Sequence, residues 1–232
     1  MIDFSVIAAN SDSLLKGLGV TIQLASMTIF SSFILGTLLG VLRYLKLPVI
    51  SWFVGAFIEI TRAIPLILYI IFIHYTVSAY IFYQLDLKTL LGLQSTQMQS
   101  GFLALTLFTS AYVAEIVRSG LNAVESEQVL SAKSMGFTTT QVLRYVVLPI
   151  SIYRMTPAFV AQFITLIKDT SLVSIIVLVE LTRASEFIYE NTQKELEVLV
   201  FVALMYFIMC YCLSFAAKKI TSKPYMENAA VI

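Results

Sequence analysis

Charge is what this sequence has least of. Only 12% of its 232 residues are Asp, Glu, Lys or Arg, and 59% are hydrophobic. A soluble domain carries about a quarter charged residues. So little charge cannot keep a globular surface in water, and the chain reads as an integral membrane protein with several spans. The net charge is +1, which excludes a strong basic field for nucleic acid or an acidic field for a cationic partner. Cysteine occurs twice, at Cys210 and Cys212 inside an apolar run. Positions i and i+2 of a helix diverge, so a disulfide is disfavoured and both read as small apolar helix residues. Histidine occurs once; His74, beside Phe72 and Tyr75, reads as packing or interfacial. No metal-ligand cluster, nucleophile–base pair or G-x-x-x-x-G-K-[ST] run is visible, so no catalytic residue and no metal ligand is assigned. The first residues, MIDFSVIAANSDSLLKGLG, lack a cationic start and a small-residue cleavage site, and are not expected to be a removable signal peptide.

What is present is long apolar runs. A helix needs roughly 20 residues to cross a hydrocarbon core. Five segments qualify, at about 17–42, 52–83, 101–121, 149–181 and 196–217, in one transmembrane domain over 1–232. The second and fourth contain Pro65 and Pro157 and are expected to bend or tilt, because proline removes an i→i−4 hydrogen bond. In the first, 36-GTLLG-40 invites a close helix approach without naming the partner helix. One side of the membrane would carry Arg43, Lys46, Arg118, Lys133, Arg144, Arg154, Lys218, Lys219 and Lys223, and the other Lys16, Lys88, Arg183 and Lys194. That asymmetry places the C-terminus in the cytoplasm and the N-terminus outside. The outer loop around 180–197 then holds Glu180, Glu186, Glu190, Glu195 and Glu197, either a solvated rim or a docking surface.

Charges within spans are costly and mark functional candidates. They are Glu59, Arg62, Lys168 and Asp169, with polar neighbours Gln162, Thr165, Thr170 and Ser171; Gln23 and Thr28 follow in the first span. Glu59 and Arg62 stand at i and i+3 and could pair with each other. These residues hold the geometry of the bundle, or some of them line a functional site within it.

Between the third and fourth apolar segments runs a polar stretch, about 122–148, on the side assigned to the cytoplasm. Within it 127-EQVLSAKSM-135 is compatible with a helix, Gly136 supplies the left-handed turn that ends one, and Thr138 with Gln141 fits a capping box for the next. The second helix runs into Leu148–Pro149 and the fourth span. A helix, a glycine corner and a helix fixed to a span make an elbow that can pass a push into the bundle.

Gly136, nine further residues, then Val146, Leu148 and Pro149 resemble the EAA loop of ABC-importer permease subunits. The family pattern is E-A-A-x-x-x-G, nine residues, I-x-L-P. Here the triplet is Leu130-Ser131-Ala132, so only the last alanine matches, and Val146 stands for isoleucine. The stretches 59-EITRAIPLILYIIF-72, 111-AYVAEIVRSGLNAV-124 and 162-QFITLIKDTSLVSII-176 resemble the polar-amino-acid branch of the same family, in the family's order.

The resemblance implies an all-α fold of the ABC type I importer permease, with about five transmembrane helices. It implies translocation of a polar or charged amino acid by alternating access, driven by ATP. The coupling loop would be Leu130, Ser131, Ala132, Lys133, Met135, Gly136 and Phe137, with Leu148 and Pro149 anchoring it to the span. The path or gate would draw on Glu59, Arg62, Gln162, Thr165, Lys168, Asp169 and Ser171. Implied partners are a cytoplasmic ABC ATPase dimer, a second permease subunit (identical or related), an extracytoplasmic amino-acid-binding protein and membrane lipid. ATP and Mg would sit in the ATPase and no cofactor in this chain, and the setting would be a prokaryotic cytoplasmic membrane. An ATPase-independent pore or secondary transporter, and an intramembrane enzyme, are the alternatives; neither requires the glycine-to-Leu-Pro spacing.

Overall fold

The computed structural model describes residues 4–77, 95–124 and 126–221, and the secondary structure in those residues is helical. A short helix α1 (Ser5–Ala9) precedes α2 (Ser11–Tyr44), and α3 (Pro48–Ala63) follows a tight turn. Next come α4 (Leu66–Phe72) and α5 (Thr96–Asn122). The elbow is α6 (Ser126–Ser134) and α7 (Thr139–Val142), which leads into α8 (Leu148–Asp169). An amphipathic α9 (Leu181–Thr192) and a final α10 (Glu195–Thr221) complete the bundle. Among the described residues four helical rods are long and apolar enough to cross a membrane, and the sharply bent α3–α4 pair brings the number to five where it counts as one span.

Lipid tails are as apolar as leucine, so helices in a bilayer associate through close packing rather than through a hydrophobic drive. The α2–α5 seam follows that rule. From Leu24 onward the buried residues of α2 are Leu24, Ala25, Thr28, Ser32, Gly36 and Gly40, all but Leu24 small. A Cβ on Gly36 would lie 2.5 Å from Cβ of Val113 and 2.7 Å from the Ser110 carbonyl oxygen. One on Gly40 would lie 2.6 Å from the Ala114 carbonyl oxygen. The partner helix of the glycine pair is therefore α5. A hydrogen bond between the hydroxyls of Ser31 and Thr106, 2.9 Å, crosses the same seam.

The ends of the spans differ from the sequence expectation in instructive ways. The second span does more than bend: the axes of α3 and α4 diverge by 110°. Ile64 is extended, at φ −90° and ψ 134°, and Pro65 has no N–H to continue the ladder. Past Phe72 a wide turn, Ile73–Val77, closes the described part; 78–83 and Lys88 lie outside the described residues. The helix of the fourth span is continuous with the second helix of the elbow and ends sooner than 181. Its rod runs Thr139–Ile176, with a wide turn at Leu143–Val147 and a tight one at Thr170–Ile176, and stops at Val177 with φ 62°. Pro149 sits in the first turn of α8, where its missing N–H is harmless. Pro157 lies inside α8 without breaking the rod.

Among the described residues there are four apolar clusters, the smallest of which, Val54, Ile58, Ala111 and Ala114, joins α3 to α5. Leu14, Leu181, Ile188 and Val198 form one at the end bearing α9. Leu24, Ile70, Leu105, Leu166 and Val173 fill the middle. Val113, Val117, Leu121, Ala132, Val142, Val147 and Met155 join the elbow to α5 and α8 at the opposite end.

Candidate functional site

The elbow is built by local hydrogen bonds. Gly136 has φ 86°, its N–H donates to the Lys133 carbonyl at 3.0 Å, and the Phe137 N–H donates to the Ala132 carbonyl at 3.2 Å. This pair of bonds ends α6 with a left-handed glycine cap. Two residues later Thr138 Oγ1 accepts from the Gln141 N–H at 3.4 Å, while Gln141 Oε1 accepts from the Thr138 N–H at 2.8 Å. The corner between the two helices is thus fixed from both sides. Of the expected coupling residues, Ala132 is 2% exposed and turns inward. Leu130 and Met135 are 61% and 70% exposed, and Ser131, Lys133 and Phe137 are also exposed. Leu130, where the EAA loop has glutamate, offers an apolar knob rather than a charge. Leu148 is exposed and Pro149 half-buried where the elbow enters α8.

Beside the elbow, one layer collects charges from three helices. Arg43 of α2 donates to Glu59 of α3 at 2.8 Å and reaches Glu115 of α5 at 3.5 Å. Glu115 is also held by Arg118, whose Nε donates at 3.0 Å and whose Nη2 makes a shorter bond. The expected Glu59–Arg62 pairing gives way to this arrangement, because Glu59 turns toward α2. Arg62 lies over the Tyr112 ring, 5.2 Å from its centroid. Sequence reasoning left out Arg43 and Glu115 because each stands near the end of a span, where a charge reads as solvated. The signal for Glu115 was its i,i+3 spacing to Arg118; the Arg43–Glu59 contact has no local signature.

Arg62, Tyr112, Glu115, Ser119, Arg154 and Gln162 line a cleft of about 360 Å³ next to this layer. The Arg154 guanidinium also hydrogen-bonds the Ala123 carbonyl. Of the expected path residues, Arg62 and Gln162 meet here. Glu59 is in the adjoining ion pair. Asp169 is half-buried, seven residues beyond Gln162 on the same face of α8, about 10 Å further along. Thr165 and Lys168 are exposed. Ser171 turns its hydroxyl to the Lys168 carbonyl at 2.7 Å, and buried Thr170 to the Ile167 carbonyl at 2.6 Å. In the first span Gln23 is exposed, whereas Thr28 is buried with no hydrogen bond to its hydroxyl among the described residues. The face of α8 carrying Arg154, Ala158, Ala161, Thr165 and Lys168 is exposed on the subunit surface.

At the other end, Glu180 is fully buried, at 0% exposed, and does not belong to a solvated acidic rim. Its carboxylate caps α9, accepting from the N–H groups of Thr182 at 2.9 Å and Arg183 at 2.8 Å. The Tyr206 hydroxyl donates to it at 2.9 Å and the Thr21 hydroxyl at 3.4 Å. One carboxylate therefore ties α2, α9 and α10 together. Burial pushes its pKa above the ordinary carboxylate range, against the lowering pull of those donors. Glu186 pairs with Arg183 at 2.5 Å; Glu190 and Glu195 are exposed. His74 is half-buried, with Nδ1 2.7 Å from the Ser100 hydroxyl, a polar tie between α5 and the turn after α4.

The chain thus combines a sharply bent helix pair, an elbow continuous with a long helix, and a charged cleft lined from α3, α5 and α8. The model of the family "Binding-protein-dependent transport system inner membrane component" matches residues 7–223, and the chain belongs to that family. It is 35% identical over 207 residues to the probable glutamine ABC transporter permease protein GlnP of Bacillus subtilis, covering 88% of this chain and 90% of that one. It is 28% identical over 210 residues to the glutamate/aspartate import permease protein GltK of Escherichia coli, covering 89% and 91%. A crystal structure of an amino acid ABC transporter with histidines superposes with TM-score 0.82 at 26% identity, over 97% of this chain and 100% of that one. The protein is a multi-pass permease subunit of an ABC importer, and in such systems ATP hydrolysis and substrate capture fall to partner proteins.

Proposed function

We propose that this permease translocates a polar or charged amino acid by alternating access, with the α6–α7 elbow seated on a cytoplasmic ABC ATPase. The observation that carries the coupling is the elbow's two-sidedness. Leu130 and Met135 stand out from the bundle, while Ala132 and Val142 pack into the same cluster as Val113 and Val117 of α5. A displacement of the outer face has a direct packed route into the spans. ATP and Mg belong to the ATPase dimer. The elbow end bears Arg43, Lys46, Arg118, Lys133, Arg144 and Arg154, which supports a cytoplasmic elbow and an external α9.

The amino acid passes the Arg62–Gln162 cleft. Its α-carboxylate would meet the guanidinium of Arg62 or Arg154, and its ammonium Glu115; Asp169 stands further along the same path. Lipid does not solvate a face bearing Arg154, Thr165 and Lys168 well, so a second permease subunit covers α8. An extracytoplasmic binding protein delivers the substrate at the α9 end.

Affinity purification of the chain in gentle detergent, with mass spectrometry of what accompanies it, tests the assembly. A P-loop ATPase at near-equal amount is the expected result. Its absence after crosslinking would return the reading to a pore or secondary transporter. Uptake of labelled glutamine, glutamate and arginine by vesicles containing the purified complex then assigns the substrate.

A further inference from the structure

The turn between α2 and α3 encloses a second cleft, about 480 Å³, lined by Arg43, Lys46, Ser51, Trp52, Gly55 and Glu59. It opens at the elbow end, between the last turn of α2 and the first turns of α3. The guanidinium of Arg43 forms its inner wall and lies over Gly55, where an added Cβ would stand 3.7 Å from it. Arg43 is already engaged by Glu59 and Glu115. Lys46 is exposed, and among the described residues no ion pair is formed by it. The charge of Arg43 is thus offset by carboxylates, and the exposed ammonium of Lys46 leaves the mouth of the cleft positive. Around that mouth Val49, Trp52 and Phe53 are 69%, 67% and 63% exposed. An exposed tryptophan beside an exposed lysine at the end of a span is the signature of the headgroup layer. A basic pocket between spans at that depth suits an anionic lipid headgroup.

We propose that this cleft holds the phosphate of an anionic phospholipid. Lys46 would meet the phosphate with Arg43 behind it as the inner wall, the Ser51 hydroxyl and the Trp52 indole N–H would serve as donors, and the acyl chains would run down past Trp52 and Phe53. The site rests on the chain spanning a membrane and is independent of which amino acid is carried. It is also separate from the Arg62–Gln162 cleft on the α5–α8 side.

The test uses the assembled complex in nanodiscs of phosphatidylcholine, with and without phosphatidylglycerol. After extraction into mild detergent, the phosphatidylglycerol still bound is quantified by mass spectrometry. Wild type is expected to retain it, and Lys46→Gln to retain about fivefold less, the factor matching about 1 kcal/mol for one basic residue at an anionic surface. Lys46→Arg should retain it as wild type does, and Lys16→Gln at the other end of α2 should lose none. An excess of inorganic phosphate should not displace it; displacement would assign the site to a soluble phosphate and overturn the lipid reading. Equal retention by Lys46→Gln, or equal loss in Lys16→Gln, would also overturn it. Loss of the ATPase from the Lys46→Gln complex, with lipid unchanged, would give the cleft to the ATPase instead.

Discussion

Arg43 and Glu59, sixteen residues apart, meet at 2.8 Å across the α2–α3 turn, and the same guanidinium reaches Glu115 on α5. The two carboxylates are not equivalent. The Glu59 side chain is 71% exposed and that of Glu115 25%. Removing Glu59 leaves Arg43 its second partner, so Glu59→Ala should cost less than about 1 kcal/mol. Removing Glu115 leaves both Arg43 and Arg118 short of a carboxylate at a partly buried site, and should cost about 1–3 kcal/mol. Thermal unfolding of the detergent-solubilised protein checks the order; equal shifts would show that Glu115 is not the hub.

Glu180 carries the anchor of α9. Glu180→Gln presents an NH₂ group to donors that need an acceptor, and should cost about 1–3 kcal/mol. It also removes a pH term. The folded-state pKa of Glu180 is raised by burial, so the folded state holds its proton more tightly than the unfolded chain. That group's contribution is fully present below the ordinary carboxylate range and declines as pH rises through the interval up to the shifted value. A series of melting curves across pH should therefore show wild type losing part of its advantage over Glu180→Gln as pH rises. A constant difference between the two would contradict the raised pKa.

What was legible in the sequence follows from the range of each interaction. The glycine cap at Gly136 and the box of Thr138 with Gln141 are closed by bonds spanning a few residues, so residue types in order announce them. The spans are equally local, since each needs only its own apolar run. Glu180 looked like one of several loop carboxylates, because its burial depends on Thr21, 159 residues away, and on Tyr206. The 110° break at Ile64–Pro65 was half legible. Proline forecasts an interruption, but its size is set by what the two halves pack against.

In the Arg62–Gln162 cleft, uptake and assembly should separate. Gln162→Leu removes a polar group from the cleft and Arg62→Gln removes its positive charge, neither touching the elbow. Losing a hydrogen bond to a charged substrate group costs about 1.5–3 kcal/mol, roughly 10- to 100-fold in uptake at low substrate concentration. Asp169→Asn should lower uptake as well if the path continues along α8. In all three the ATPase should copurify at the wild-type ratio. Wild-type uptake by a variant removes that residue from the path.

Gly136 gives the sharpest test of coupling, because its surroundings separate backbone strain from crowding. A Cβ built there meets nothing within 4 Å, yet φ is 86°. Any loss on substitution is therefore conformational, and it should track tolerance of left-handed backbone rather than side-chain volume. Asn visits that region more readily than Val, for which positive φ is a genuine outlier. In vesicles, Gly136→Asn should keep more substrate-stimulated ATP hydrolysis than Gly136→Val, although the two side chains differ little in bulk. Both should insert and copurify the second permease normally, since the corner lies outside the apolar clusters. If Asn and Val fail equally, the elbow acts through surface shape at Gly136 and not through its turn. If both couple as wild type does, the corner is not the point through which ATP hydrolysis moves the spans.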